Sequence, residues 1–205
     1  MITIEVWSDI VCPWCYIGKR RLETALSTFD GAVSVQWRSF QLDPSTPVGD
    51  PRPVGESLGA KLGLPQAQID GMFEHVTQLA AAEGLAYDFA RARTANTLDA
   101  HRLLHFAKAH GLQAELKERL MHAYFTEGAD IGDQVVLAGL AATVGLDEVA
   151  AKQALADGSF EADVRQDFAQ ARAYGISGVP FFVFDQRIGV SGAQPVEVFE
   201  KALRS

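Results

Sequence analysis

Cys12 and Cys15 are the only cysteines in the chain, and they stand two residues apart as Cys12-Pro13-Trp14-Cys15. At that spacing, on the first turn of a helix, two sulfurs can join and part without backbone movement. A helix start offers free N–H groups and a partial positive charge to the first of them. A thiol of pKa ~8.5 is only about 3% thiolate at pH 7, and one of ~6.5 is about three-quarters thiolate. The chemistry this suits is thiol–disulfide exchange. Cys12, the more exposed member, would attack and carry the mixed disulfide, and Cys15, one turn inside, would resolve it. Pro13 and Trp14 would border the substrate, with Trp14 half exposed.

Two blander readings of the pair are structural zinc and inert core thiols. Zinc wants four ligands, usually from two such pairs, and there is no second pair. His101 and His105 stand at helical i, i+4 spacing, which makes at most one face of a site, so no metal is expected. Asp9, three residues before Cys12, is either a turn cap or a proton relay, since a nearby carboxylate opposes a thiolate. His101 would line the groove or simply decorate a helix face. Asn96 would cap the helix that follows it.

The second chemical signal is Gly178-Val179-Pro180, between a helix and the apolar run Phe181-Phe182-Val183-Phe184. A proline at a strand start donates no ladder hydrogen bond. Beside a dithiol, that gap leaves the Val179 backbone free to pair with a substrate chain.

The elements must bring these segments together. Residues 2–7 alternate as a strand, 13–29 repeat with helical period, and 33–40 read as a second strand. Residues 43–65 are rich in proline and glycine and read as a loop and boundary. Helical patterns follow over 66–83, 94–110, 112–126, 133–144, 147–156 and 159–174, with Asp147 as a cap. Residues 181–184 and 187–190 form a hairpin across Asp185-Gln186, and 194–203 is a last helix. With its middle block removed, the order is β-α-β-α-β-β-α. That predicts a thioredoxin-like α/β fold with a large α-helical domain inserted between the β-α-β and α-β-β-α halves. The core domain takes 1–43 and 158–205, and the insert takes 44–157.

A chain of 205 residues with 48% hydrophobic and 21% charged side chains can bury a full core without staples. Its net charge of −8 lacks the cationic footprint of a nucleic-acid binder. No basic leader opens the sequence and no stretch is long and apolar enough for a membrane. A cytoplasmic protein is therefore expected.

In order along nearly the whole chain stand Asp9-Ile10-Val11-Cys12-Pro13-Trp14-Cys15-Tyr16-Ile17-Gly18, Asn96-Thr97 with Ala100-His101-Arg102-Leu103, Tyr124-Phe125-Thr126-Glu127-Gly128-Ala129-Asp130-Ile131, Gly178-Val179-Pro180 and Ser191-Gly192-Ala193-Gln194. On these motifs the chain resembles the DsbA-like thioredoxin superfamily, and within it the FrnE-type cytoplasmic oxidoreductases. The resemblance implies a cis Pro180, and a groove between core and insert, where His101 would meet substrate. It also implies protein disulfide or dithiol substrates and a cytosolic thiol reductant. No organic cofactor is needed, with glutathione a possible co-substrate. The protein would be a monomer or homodimer. Some members carry a further cysteine pair near the C-terminus, and this chain has none. Related glutathione-dependent isomerases of the 2-hydroxychromene-2-carboxylate type and kappa-class transferases share the insert, but place a single Ser or Cys at the active site. They and a non-catalytic binding module are the alternatives. The sequence leaves the direction of exchange open, since potentials of such centres span about −270 to −120 mV.

Overall fold

The computed structural model describes residues 1–205. Four strands form one sheet in the order β2-β1-β3-β4. Strand β1 is Ile2–Ser8, β2 Val33–Ser39, β3 Phe181–Phe184 and β4 Ile188–Ser191. β1 runs parallel to β2, as a β-α-β crossover requires, and antiparallel to β3, with Val6 opposite Phe182. The β3–β4 hairpin turns at Asp185 and Gln186, both at positive φ (47° and 57°), the twist that two-residue hairpins need.

Alternation along β1 and β3 sends side chains to two separate cores. Ile4, Val6, Phe182 and Phe184 meet Leu22, Ala25 and Phe199 on one face. Trp7 and Val183 meet Ala171 and Ile176 on the other. The first face is covered by helices α1 (Pro13–Ser27) and α9 (Val196–Leu203), and the second by α8 (Glu161–Ala173).

Between β2 and α8 lie α2 (Val54–Leu62), α3 (Gln66–Ala82), α4 (Leu98–Ala109), α5 (Gln113–His122), α6 (Gln134–Thr143) and α7 (Glu148–Ala156). Their core also takes in Cys12, Cys15, Tyr16 and Ile17. Helix α1 is thus shared lengthwise: its start packs into the helical insert and its end onto the sheet.

Three expectations need correction. The proline-rich segment 43–65 holds α2, because Pro53 and Gly63 stand at its ends and not inside it. The helix expected from residue 94 starts at Leu98, because the Asn96 side chain accepts from the Leu98 N–H at 3.0 Å and turns the chain there. The helix expected over 112–126 is α5 followed by a π-helical turn, Ala123–Glu127. Asp147 does cap α7, accepting from the Ala150 N–H at 2.7 Å.

Candidate active site

Cys12 occupies the N-cap position of α1 in extended conformation (φ −86°, ψ 112°), and Pro13 opens the helix. Proline suits that position because its missing N–H costs nothing there. Both cysteines are free thiols. Both are buried, Cys12 at 3% exposure and Cys15 at 1%, so Cys12 is the more exposed member as expected, though by little. Its sulfur faces the proline loop, where the Cys12 thiol donates to the Val179 carbonyl at 3.6 Å. Trp14 follows in the first turn of α1, 39% exposed.

The Val179–Pro180 bond is cis. The Val179 N–H makes no hydrogen bond within the chain, and its carbonyl meets only the Cys12 thiol. Pro180 passes its own carbonyl to the Gly192 N–H at 2.8 Å, which fixes the loop to the end of β4. The structure thus brings Cys12 and the Val179-Pro180 loop together around one sulfur.

Behind Cys12 the site closes. Burial pushes the Cys15 thiol well up, and the neighbouring Cys12 adds to it, while Lys117 opposes both. Cys15 therefore holds its proton in the reduced state. From the insert, Tyr87 donates to the Pro13 carbonyl at 2.7 Å and stacks on Phe125, 4.4 Å between ring centres. Half-buried Pro13 is thereby tied to the insert.

His101 does not line the groove. It is wholly buried, because its ring is drawn inward by two acceptors on one nitrogen, Asp9 Oδ1 at 3.1 Å and the Phe40 carbonyl at 3.0 Å. Nε2 must then carry the proton. Nδ1 has no partner. Burial lowers the His101 pKa against the pull of Asp9, which makes the ring neutral. Burial alone would raise Asp9, but His101 and the Leu42 N–H outweigh it and hold the carboxyl below its ordinary value. Asp9 also accepts from the Ile10 N–H at 2.8 Å. It is the ionised tie that holds the turn before Cys12 to the segment after β2, through the Leu42 N–H at 2.8 Å, and to α4. His105 turns away, to Asp167 at 2.9 Å, so the two histidines share no ligand, and no group of three or more His, Cys, Asp or Glu gathers around a point.

Sequence patterning does not single out Lys117. It lies on the buried face of α5 with its side chain over the Ser8 carbonyl, Nζ to oxygen 3.5 Å. The only local signal is its place at i, i+4 and i+7 with Met121 and Tyr124, an apolar stripe interrupted by one charge.

A DSBA-like thioredoxin domain profile matches residues 3–204. The chain belongs to the DsbA-like thioredoxin family. The Bacillus subtilis protein YwbO is 32% identical over 98% of this chain and 96% of its own. A probable DsbA oxidoreductase from Streptomyces coelicolor superposes with a TM-score of 0.93 at 42% identity, over 99% of this chain and 88% of that one. Cytosolic disulfide reductase DsbM from Pseudomonas aeruginosa, solved with glutathione, has the same fold at 22% identity (TM-score 0.67, 99% and 100% covered). No helix is long and apolar enough to cross a membrane.

Proposed function

We propose that this DsbA-like protein exchanges disulfides with protein substrates through Cys12 and Cys15. The observation that carries the reading is the Cys12 sulfur at 3.6 Å from the Val179 carbonyl. Beside it stands an N–H free to pair with an extended substrate. Cys12 attacks a substrate disulfide and holds half of it as a mixed disulfide along Val179-Pro180 and Trp14. Cys15 then attacks Cys12 and releases the substrate thiol. The reverse sequence oxidises a substrate.

We further infer a cytosolic setting with glutathione as recycling thiol, by analogy with the DsbM structure solved with glutathione. The second thiol at Cys15 favours redox cycling over glutathione-dependent isomerisation, which needs only one activated group.

The test is a redox titration of the pair against glutathione, with insulin reduction as the activity. A reversible two-electron transition with turnover, both lost in Cys12→Ser, supports the reading and gives its direction. A pair that never forms the intramolecular disulfide, or turnover that survives Cys12→Ser, overturns it.

A further inference from the structure

We propose that Arg21 is a positioning residue for the exchange: its guanidinium ties the turn after β4 to the helical insert and so holds the Val179-Pro180 loop in place beside Cys12. The inference rests on the oxidoreductase reading above and gives the Ser191-Gly192-Ala193-Gln194 segment a task within it.

Arg21 lies on α1, the helix that begins at the dithiol. Its Nη1 donates to the Ala193 carbonyl at 2.6 Å, and its Nε donates to Glu83 Oε1 at 2.6 Å. Glu83 stands at the C-terminal end of α3, in the insert. The two side chains are only 18% and 19% exposed. No backbone N–H reaches the Ala193 carbonyl, so Arg21 supplies its donor. A planar guanidinium can serve two fixed acceptors at once, where the single ammonium of a lysine is a point charge on a flexible stem.

The turn that Arg21 grips is closed on itself. Gly192 takes φ 81°, the Gln194 N–H donates to the Gly192 carbonyl at 2.9 Å, and the Gln194 side chain donates to the Ser191 carbonyl at 2.8 Å. The Gly192 N–H then donates to the Pro180 carbonyl at 2.8 Å, one rung beyond the Phe181–Ser191 pair of the hairpin. Pro180 follows Val179 through the cis bond, and the Val179 carbonyl meets the Cys12 thiol at 3.6 Å. Contacts therefore run without a gap from the insert to the redox sulfur, through Arg21, the 191–194 turn and the proline loop. Gly18, one helical turn before Arg21, lets both approach: a Cβ there would stand 3.0 Å from Pro180 Cγ and 3.5 Å from Ala193 Cβ.

The consequence falls on docking. The free Val179 N–H can pair with an extended substrate only while the loop keeps its distance from the Cys12 sulfur, and an ångström of misplacement in such a geometry can cost ~100-fold. Arg21 bonds to neither cysteine. It therefore acts on where the substrate lies and not on the thiol equilibrium.

The experiment compares the whole protein with Arg21→Met, Arg21→Lys, Glu83→Gln and the surface control Arg165→Met, whose parent side chain is 73% exposed. Arg21→Met should raise the KM for insulin about tenfold, change kcat less than about twofold and leave the equilibrium with glutathione where it was. Amide exchange at Gly192, followed by NMR, should quicken about tenfold in the same variant. Arg21→Lys should recover only part of both effects. Glu83→Gln, which removes the insert's half of the tie alone, should raise KM about threefold and add nothing in the Arg21→Met background. Arg165→Met should change none of these. An unchanged KM and Gly192 exchange in folded Arg21→Met, or a fall in kcat and stability with KM unmoved, overturns the role of Arg21. If Arg21→Met does not fold, Glu83→Gln decides by the same two readouts. Absence of a reversible disulfide or of insulin turnover in the natural protein instead overturns the oxidoreductase reading, while the Gly192 exchange still reports on the tie.

Discussion

A buried charge is a load on folding, and Lys117 makes the load measurable. Its pKa falls from an ordinary 10.5 to about 8, a difference of about 3 kcal/mol between the two protonation states. Because the folded value is the lower, the unfolded chain binds more protons between these limits, and stability rises with pH from about 8 to 10.5. Below pH 8 the full penalty applies. Lys117→Met should therefore be more stable than the natural protein at pH 7 by about 1–2 kcal/mol, after the lost Ser8 contact is subtracted. The gain should vanish above pH 10.5. Urea unfolding at pH 7 and pH 10.5 checks this, and equal destabilisation at both would show the lysine to be a packing residue. Cys12, Cys15 and Pro180 were legible in the sequence because each signal is local: a two-residue spacing, a proline before an apolar run. The ties behind them were not, because Asp9 and His101 stand 92 residues apart and Ser8 and Lys117 stand 109 apart. A polar residue on a helix face looks the same in sequence whether that face meets water or a buried carboxylate.

Between elements, the fit of α1 against the proline loop depends on Gly18. A Cβ there would stand 3.0 Å from Pro180 Cγ and 3.2 Å from Phe182 Cζ. Either the helix or the loop would have to yield by a few tenths of an ångström, and the loop carries the carbonyl that meets Cys12. Gly18→Ala should lower insulin-reduction kcat/KM several-fold while costing only about 1 kcal/mol of stability. Circular dichroism melts and steady-state kinetics on the same preparation check it, and an unchanged kcat/KM would show that the loop does not need its present position. The elements themselves were readable where hydrophobic period and punctuation agreed, as in β1, the hairpin and Asp147 at the start of α7. They were misread where a breaker ends an element instead of preventing one. Prolines and glycines crowd 43–65, yet Pro53 and Gly63 (φ 65°) bound a helix. At Gly128 (φ 69°) a Cβ would lie 2.6 Å from the Arg91 side chain. That close approach, which no pattern announces, closes the π-helical turn after α5.

Across the whole molecule, insert and core are joined by one buried polar cluster as well as by the shared helix α1. The Asp167 carboxylate on α8 accepts from the Ser39 N–H of β2 at 2.8 Å, His105 of α4 at 2.9 Å and Arg38 of β2 at 3.2 Å. Arg38 passes on to Glu5 in β1 at 2.6 Å, and the Trp7 indole donates to the Asp167 carbonyl at 3.1 Å. Four elements, β1, β2, α4 and α8, thus meet around the single residue Asp167, a three-dimensional arrangement that residues so far apart in sequence cannot announce. Burial alone would raise the Asp167 pKa, but His105, the Ser39 N–H and Arg38 together hold it below its ordinary 3.8. Its stabilisation is therefore complete above pH 3.8 and is lost as pH falls through the lower folded value. Asp167→Asn leaves the half-buried Arg38 and the buried Ser39 N–H facing a neutral amide, and removing one partner of a buried charge cluster costs about 3 kcal/mol. The variant should lose about that much in urea unfolding at pH 7, and amide exchange should quicken first in α4 and α8, where the insert meets the sheet. The difference from the natural protein should shrink as pH falls below 3.8 and be gone below the lower folded value, where both lack the charge. A deficit that persists undiminished in acid would mean that Asp167 joins the two parts by shape alone.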